Sequence, residues 1–438
     1  MNLLILALAV FAQQTFPPAL PGGKEIVSDA SVEFLKAPAT LKNGVAVANT
    51  APTIDFLYYP GQDYPGQPWS AWGDSLVANG KFYSSIGDHH AANGKDKAHP
   101  GTAFVFEYDP ESKKLRRLVD AKALLNLPEG HYTPGKIHGR LDLGDDGWIY
   151  FSTHRGSTKV TTDVYHYQGD WILRTNPLTG VSEIVVCGPV AKHCIPCSVL
   201  DPKRLIFYGG TAPGGGGEDE GVQFFAYDVA ARKLLYSGPD GPARYMIFAK
   251  STGKVYWVPG KEDMIGPLVC FDPSKPGPPV KTSAELGLRA ATQESPQGIV
   301  YTVSKGGKNS ATTIYAFDTK SEKAEALGEA AIGTQGYVTS IDADPAGRFL
   351  YYIPGAHGGA AQDGTPVIQF DVKTRQKKVI AFLAAFYKEK YGCTPVGTYS
   401  TALDEKGETL YVTWNVNRGG KAWDCVALTA IHIPASER

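Results

Sequence analysis

The feature that most constrains the fold is a pair of short strands that recurs along the whole chain. In each copy a tight turn of small and polar residues leads into a strand rich in aromatic and β-branched residues. This pattern is typical of a β-hairpin whose second strand is largely buried. Seven copies occur, at residues 78–86, 144–152, 201–209, 251–259, 295–303, 344–353 and 404–414.

A second hairpin alternates with the first, and its leading strand usually ends in an aromatic residue followed by Asp and a charged turn. Six copies occur at residues 104–115, 171–184, 223–235, 268–277, 314–327 and 368–380, and residues 425–433 supply a closing strand. Two successive hairpins make a four-stranded unit of roughly 45 to 60 residues, which is the repeat of a β-propeller. We therefore predict an all-β chain folded as a seven-bladed β-propeller, with residues 26–59 available to complete the last blade.

Composition and charge agree with a folded protein rich in turns. The chain has 438 residues, of which 43% are hydrophobic and 20% charged, with Gly 49 and Pro 31. The formal net charge of -1 argues against broad electrostatic capture of nucleic acid or anionic lipid. We expect neither as a partner, so an acidic partner has to be met by a local cluster of cations.

The N-terminus is an apolar run too short to span a bilayer, followed by small and then polar residues. We predict a signal peptide at residues 1–12, a linker at 13–25 and a single propeller domain at 26–438. Because no Lys or Arg precedes the apolar run, a buried N-terminal strand is the alternative. The signal peptide predicts a secreted or periplasmic protein without a further membrane segment, in a compartment where disulfides persist.

The histidines are unevenly distributed, with eight of the ten between His89 and His193. They lie in the long polar stretches that connect the second and third strands of a blade or lead from one blade to the next. In a propeller these connections lie on one face of the ring, and long loops gathered on one side of a rigid scaffold are where sites are built. We therefore predict a site on that face, over the first three blades.

The most specific candidates lie in blade 2. Strand alternation places His138, Arg140 and Asp142 on one side of the innermost strand, and His154 and Arg155 end the neighbouring strand. Arginine holds a carboxylate or sulfate in a fork, and histidine moves a proton near neutral pH. These residue types predict an anionic substrate. The alternative is that the side chains only hydrogen-bond the long loops and fill the channel.

Further candidates follow on the same rim. Tyr208 ends the second strand of blade 3, and Arg244 and Tyr245 open the first strand of blade 4, which adds phenols and a cation. Propeller strands are rich in aromatic residues, so packing is the alternative role for each tyrosine. The residues predicted to contact substrate, or to complete the rim, are His89, His90, His131, Tyr165, His166 and Tyr167.

A Cys/His group is the clearest metal-like pattern. His193, Cys194 and Cys197 supply three ligands of the kind found in structural zinc sites, with Cys393 or a histidine of the rim as the fourth. In an exported protein the alternatives are free thiols or a disulfide from Cys187 to Cys194 or Cys197.

With these features the chain resembles the propeller polysaccharide lyases, namely the ulvan lyases and more distantly the oligogalacturonate lyases. The resemblance lies in the seven blades, the export signal and the His/Tyr/Arg rim with its Cys/His group. It implies β-elimination on an acidic carbohydrate, with His138 and His154 as acid and base, Arg244 or Arg155 neutralising the carboxylate, and Tyr208 or Tyr245 as the second proton-transfer group. The alternatives are a non-catalytic propeller that binds glycan or protein, and a metal-dependent hydrolase or lactonase.

Overall fold

The computed structural model describes residues 17, 19–62, 69–88, 101–215, 221–260, 265–275, 277–307, 310–418 and 425–438. The predicted signal peptide, His89 and His90 lie outside these ranges. The described strands form seven separate sheets, one for each predicted blade. The prediction of an all-β, seven-bladed β-propeller is therefore confirmed. No helix among the described residues is long and apolar enough to cross a membrane.

The N-terminal segment and blades 1 and 2 contain twelve strands. They are β1 (Val27–Ala30), β2 (Ala46–Val47), β3 (Thr53–Tyr58), β4 (Trp69–Ser70), β5 (Leu76–Ala78), β6 (Lys81–Asp88), β7 (Ala103–Asp109), β8 (Lys114–Asp120), β9 (Asp142–Leu143), β10 (Ile149–Ser152), β11 (Trp171–Thr175) and β12 (Ser182–Cys187). A short helix, α1 (Ala121–Leu125), connects blade 1 to blade 2.

Blades 3 to 5 are built from four antiparallel strands each. They are β13 (His193–Asp201), β14 (Ile206–Pro213), β15 (Gln223–Asp228), β16 (Lys233–Pro239), β17 (Ile247–Ala249), β18 (Lys254–Trp257), β19 (Ile265–Phe271), β20 (Val280–Gly287), β21 (Ala290–Ala291), β22 (Ile299–Val303), β23 (Thr313–Asp318) and β24 (Lys323–Glu329).

Blades 6 and 7 contain the remaining strands. They are β25 (Ile341–Ala343), β26 (Phe349–Tyr352), β27 (Pro366–Asp371), β28 (Lys377–Phe382), β29 (Thr394–Leu403), β30 (Thr409–Asn417) and β31 (Cys425–His432), with α2 (Ala384–Tyr391) between the two blades. The sheet of blade 7 runs β29-β30-β31-β3-β1, so both ends of the chain contribute to it. Strand β2 pairs in parallel with β28 at the outer edge of blade 6.

The recurring Asp of the second hairpin has a local structural role. Its carboxylate accepts backbone N–H groups two and three residues further on, as Asp109, Asp318 and Asp371 do in blades 1, 5 and 6. This is an Asx turn, which closes a tight hairpin between two strands. The turns between the outer strands are therefore short, and the longer connections lie on the opposite face, here called the upper face.

The two ends of the chain are held together at Glu437, whose side chain is 3% exposed. Its carboxylate accepts the backbone N–H groups of Asn49 and Thr50 at 2.8 and 2.9 Å and pairs with Lys378 Nζ at 2.8 Å. Burial alone would raise the pKa of Glu437, but these hydrogen bonds outweigh it and lower the pKa from its usual value. The ionised carboxylate thus stabilises the closed ring.

We expect Glu437→Ala to lower the free energy of unfolding by about 2 kcal/mol, because hydrogen bonds to a buried charge are lost. Urea unfolding at neutral pH measures this difference. Since the pKa of Glu437 is lowered by folding, its contribution is present above its unfolded pKa and disappears as the pH falls through the folded value. The exposed Glu389 of α2 is the matched control. An equal loss of stability in Glu389→Ala would contradict the role of Glu437.

Candidate functional site

The candidate site lies where the innermost strands of the blades begin, at the upper end of the central channel. His138, Arg244 and Arg289 occupy the same register, each nine residues before the glycine of the turn that follows. Trp72, Tyr245 and Tyr399 each lie eight residues before the corresponding glycine. Equal register on neighbouring blades brings these side chains to one height along the axis, around a cavity that we call the upper cavity.

The side chains can converge in this way only because blades 1, 2 and 3 pack closely at the axis. A Cβ atom on Gly73 would lie 2.3 Å from the carbonyl oxygen of Gly139, and a Cβ atom on Gly139 would lie 2.3 Å from Ser198 Oγ. Both distances are shorter than any real contact, so only glycine permits the strands to approach this far. Trp72, His138 and Arg140, which flank the two glycines in sequence, thereby reach the axis.

His138 presents one edge of its ring to the upper cavity. Its Nδ1 lies 2.8 Å from the carbonyl oxygen of Pro196, so Nδ1 carries the proton and Nε2 is the acceptor nitrogen. The ring stacks on Trp72 at 6.0 Å between centroids and lies 5.2 Å from the ring of His154. His154 is fully buried, with Nδ1 2.6 Å from the carbonyl oxygen of Arg155. Of the two histidines, His138 is the one that lines the cavity.

Three arginines and a single acid line the upper cavity among the described residues. Arg289 is 4% exposed, and its Nε donates to Tyr337 Oη at 2.9 Å. Its guanidinium carbon lies 5.3 Å from the ring centre of Tyr337 and 5.7 Å from that of Tyr399. This fixed geometry suits Arg289 to hold an anionic group, because less side-chain freedom is lost on binding. Arg244 faces the same cavity from blade 4, and its Nη1 donates to the carbonyl oxygen of Ala243 at 3.0 Å.

The floor of the upper cavity is formed by Asp74, Tyr245 and Arg140. Tyr245 donates to Asp74 Oδ2 at 2.6 Å, and Arg140 Nη1 donates to Tyr245 Oη at 3.4 Å. Burial raises the pKa of Asp74, with Arg140 and the hydrogen bond from Tyr245 opposing it. Burial also raises the pKa of Tyr245 well above its usual value, although Arg140 lowers it. Tyr245 therefore remains a protonated phenol.

A second and wider cavity of about 470 Å³ lies below this floor, and we call it the lower cavity. It shares Asp74, Arg140 and Tyr245 with the upper cavity, so these residues separate the two halves of the channel. The other charged residues that line it are Asp142, Asp145, Lys250, Asp342 and Glu405. The described lining is thus predominantly acidic below the floor and basic above it.

A tyrosine and histidine pair completes the upper site. Tyr399 is 3% exposed, and its Oη lies 2.6 Å from Nδ1 of His357, which comes from the loop after β26. The Tyr399 ring packs against Trp72 at 4.9 Å, while Lys136 Nζ lies 4.2 Å from the Trp72 ring. A phenol bonded to an imidazole is an arrangement that can exchange a proton.

The sequence interpretation missed six of these residues, namely Trp72, Asp74, Arg289, Tyr337, His357 and Tyr399. The repeat pattern points to one of these residues, because Arg289 occupies the same repeat position as His138 and Arg244. Aligning the innermost strands of all seven blades in register identifies Arg289. For His357 the sequence carries no comparable signal, because that residue lies in a loop outside the repeat.

Of the residues predicted from sequence to be catalytic, the structure brings His138, Arg244 and Tyr245 to the upper cavity and places His154 behind His138. Tyr208 lies elsewhere. It is fully buried between blades 3 and 4, 6.1 Å from the ring of Phe224 and 6.0 Å from that of Phe271. Strand alternation turns it towards the interface between the blades, where burial raises the pKa of its phenol.

The residues predicted to bind substrate are divided in the same way. Arg140 lines the floor. Arg155 is 3% exposed and donates to Cys194 Sγ and to the carbonyl oxygen of Pro213. Tyr167 is buried and donates to Asp170 at 3.2 Å. The contacts of Arg155 and Tyr167 hold the long loops of blade 2 in place.

His131 and Tyr165 lie together in the loops of blade 2, away from the residues that line the upper cavity. The His131 ring stacks on His166 at 4.2 Å, and the backbone of Tyr165 accepts from Tyr132 at 2.8 Å. His90 lies outside the described residues.

The Cys/His group does not converge on one point. His193 Nδ1 lies 2.9 Å from Thr211 Oγ1, Cys194 contacts Arg155, and Cys197 lies beside the upper cavity with Sγ 3.4 Å from the carbonyl oxygen of Pro242. A bulge between Cys194 and Cys197 turns the two thiols apart. None of the six cysteines, all of which lie within the described ranges, forms a disulfide. Within the described ranges no three His, Cys, Asp or Glu side chains are grouped to hold a metal.

The fold and the axial site define a seven-bladed propeller with a basic upper cavity. No family model matches the chain, and no curated protein matches it. Among solved structures, the chain is similar to an oligogalacturonate lyase in complex with manganese, at TM-score 0.53 and 11% identity over 94% of this chain and 98% of that one. An oligogalacturonate lyase from Vibrio parahaemolyticus gives TM-score 0.53 and 10% identity over 92% and 100%.

A chain of the mitotic checkpoint complex is also similar, at TM-score 0.51 and 10% identity over 99% of both chains. At such low identity these likenesses show the propeller fold alone. The resemblance to propeller lyases stated from sequence holds at this architectural level. The manganese belongs to the neighbouring structure, and the described residues of this chain offer no matching set of ligands.

Proposed function

We propose that the protein is an exported propeller lyase that cleaves an acidic carbohydrate by β-elimination. The observation that carries the proposal is the composition of the upper cavity, where two guanidinium groups, two phenols and an imidazole whose Nδ1 is held by the Pro196 carbonyl oxygen line the same space. Elimination next to a carboxylate requires a cation, a base and a proton donor. The likeness to oligogalacturonate lyases supports the class of substrate without identifying it.

In this proposal Arg289, assisted by Arg244, holds the carboxylate of a uronate residue. Neutralising that charge acidifies the C5 proton, and the same cations stabilise the negative charge that develops as the proton leaves. His138 Nε2 takes the C5 proton, the C4–C5 double bond forms, and the bond from C4 to the glycosidic oxygen breaks. The leaving oxygen takes a proton from a phenol, for which Tyr245 and Tyr399 are the two candidates.

The assay is incubation of the purified protein with polygalacturonate, alginate, a glucuronan and sulfated uronate polysaccharides. Elimination creates an unsaturated uronate, and we expect its absorbance at about 235 nm to rise with at least one substrate. Binding of a polysaccharide without any product would indicate a non-catalytic glycan-binding propeller instead. New reducing ends without the absorbance would indicate a hydrolase.

Export is part of the same proposal and has its own test. Mass spectrometry of the protein recovered from a native host is expected to show an N-terminus at residue 13, after removal of residues 1–12. Recovery of the protein with Met1 and the apolar run intact would contradict cleavage.

The zinc prediction is tested on the same sample by metal analysis. Because His193, Cys194 and Cys197 make separate contacts, we expect no bound zinc there.

A further inference from the structure

A continuous chain of hydrogen bonds crosses the central channel below the upper cavity. Tyr245 donates to Asp74 Oδ2 at 2.6 Å, and Ser340 Oγ donates to Asp74 Oδ1 at 2.8 Å. Thr401 Oγ1 lies 2.8 Å from Ser340 Oγ and 2.6 Å from Asp342 Oδ2. The chain therefore links a phenol of the upper cavity to a carboxyl group that lines the lower cavity.

The chain can carry protons because every hydroxyl in it has a partner on both sides. Thr401 can donate to Asp342 when that group is ionised, or to Ser340 when Asp342 is protonated and donates to Thr401. In the second arrangement all donors point the same way, from Asp342 to Asp74. Switching from the first arrangement to the second requires a proton on Asp342 and rotation of the two hydroxyl groups.

The charges around the chain keep its end groups close to protonation. The groups that face Asp74 are Tyr245, Ser340, Arg140 and Arg289, and those that face Asp342 are Thr401, Asp74, Arg140 and the Leu403 backbone N–H. Burial raises the pKa of Asp74, and burial together with the neighbouring Asp74 charge raises the pKa of Asp342 to about 6, against the hydrogen bond from Thr401. Lys250, Asp142, Asp145 and Glu405 line the lower cavity beyond them.

We propose that Tyr245, Asp74, Ser340, Thr401 and Asp342 form a proton relay that reloads the site from the lower cavity. This inference rests on the proposed lyase function. When Tyr245 gives its proton to the leaving oxygen, it takes the proton that neutral Asp74 holds on Oδ2. Asp74 takes one at Oδ1 from Ser340, Ser340 takes one from Thr401, and Thr401 takes one from Asp342. Asp342 is then reprotonated by water, the two hydroxyl groups rotate back, and the Asp74 carboxyl group turns so that its proton again faces Tyr245. His138 releases the C5 proton to solvent once the product has left.

Two features of the site favour such a relay. Tyr245 has a pKa well above its usual value, so its phenolate is not a stable species and donation has to be coupled to reprotonation. A bound polysaccharide displaces water from the narrow upper cavity, whereas the lower cavity of about 470 Å³ has room for water throughout turnover. The relay also selects Tyr245 over Tyr399 as the donor to the leaving oxygen.

The test is Thr401→Val, which removes one hydroxyl from the chain and keeps the shape of a residue that is 2% exposed. With the substrate found in the absorbance assay, we expect kcat to fall roughly tenfold at low buffer concentration with KM unchanged. Added imidazole is expected to restore kcat of the variant, because a small buffer that enters the lower cavity can protonate Asp74, which also lines that cavity, without passing through Thr401. Thr401→Ser, which keeps the hydroxyl, is expected to restore kcat without imidazole.

Thr302→Val is the matched control, since Thr302 is a fully buried threonine of blade 5 that donates to the Gly287 carbonyl outside the relay. Equal kcat and equal imidazole dependence in Thr401→Val and Thr302→Val would overturn the relay. If Thr401→Val does not fold, Asp342→Asn gives the same comparison at the other end of the chain. A wild-type protein that releases no unsaturated uronate from any substrate would instead overturn the proposed function itself.

Discussion

Replacing Arg289 by alanine is expected to lower kcat/KM on a uronate polysaccharide by about a hundredfold to a thousandfold, the cost of removing one partner from a desolvated, charge-assisted contact. Arg289 is the most firmly held cation in the upper cavity, since it is 4% exposed and its Nε donates to Tyr337 at 2.9 Å. Its charge does not titrate in the accessible pH range, so the loss should be uniform with pH. Initial rates from absorbance of the unsaturated product measure it.

Two variants accompany this experiment. Arg289→Lys keeps the charge and loses the fork, so a partial recovery would show that both charge and geometry contribute. Arg348→Ala is the control, because Arg348 is 61% exposed in the turn between β25 and β26 of blade 6, where it pairs with Asp371 at 3.6 Å. Unchanged activity of Arg289→Ala with a folded protein would remove this residue from the site and leave Arg244 as the remaining candidate for the carboxylate.

His138→Ala is expected to lower kcat by about a thousandfold with little change in KM, because a general base acts mainly in the transition state. The hydrogen bond from Nδ1 to the Pro196 carbonyl oxygen fixes the tautomer that leaves Nε2 as the acceptor. His138→Gln keeps a polar side chain of similar reach but cannot act as a base, so it should be equally impaired. Binding of the polysaccharide, followed by affinity electrophoresis, is expected to survive both changes.

The matched control for the base is His432 at the end of β31 in blade 7, which pairs with Asp55 at 3.1 Å. His432→Gln is expected to leave kcat unchanged. Full activity in His138→Ala would refute its role as the base. The imidazole of His154, 5.2 Å away between ring centres, would then be the next group to replace.

The blade architecture is predictable from sequence because it depends on local signals. Each hairpin is specified by alternation along two strands and by a turn whose Asp or Gly closes it, as at Asp318 and Gly147. These signals repeat with a nearly constant period. A hairpin that is weakly marked in one blade can therefore be inferred from its position in the other blades. The predicted placement of candidate residues on the upper face follows from loop length alone.

The sequence does not show which of the aromatic and basic residues reach the axis. Tyr208 lies in β14 of blade 3 and Tyr245 lies just before β17 of blade 4, yet Tyr208 packs between blades and Tyr245 reaches the axis. A difference of one position in a strand reverses the side to which a residue points, and bulges such as the one between Cys194 and Cys197 in β13 introduce shifts of this kind. Such irregularities leave no clear trace in composition or spacing.

The number of blades, the all-β class and the face on which the polar loops gather can be predicted from the sequence, because hairpins, turns and alternation are specified within about fifty residues of chain. Which side chains meet at the axis follows from the packing of the whole ring. Trp72, His138, Arg289 and Tyr399 come from blades 1, 2, 5 and 7 and are brought together by closure of the ring. Contact between residues so far apart in sequence depends on how all seven sheets pack, which no local pattern encodes.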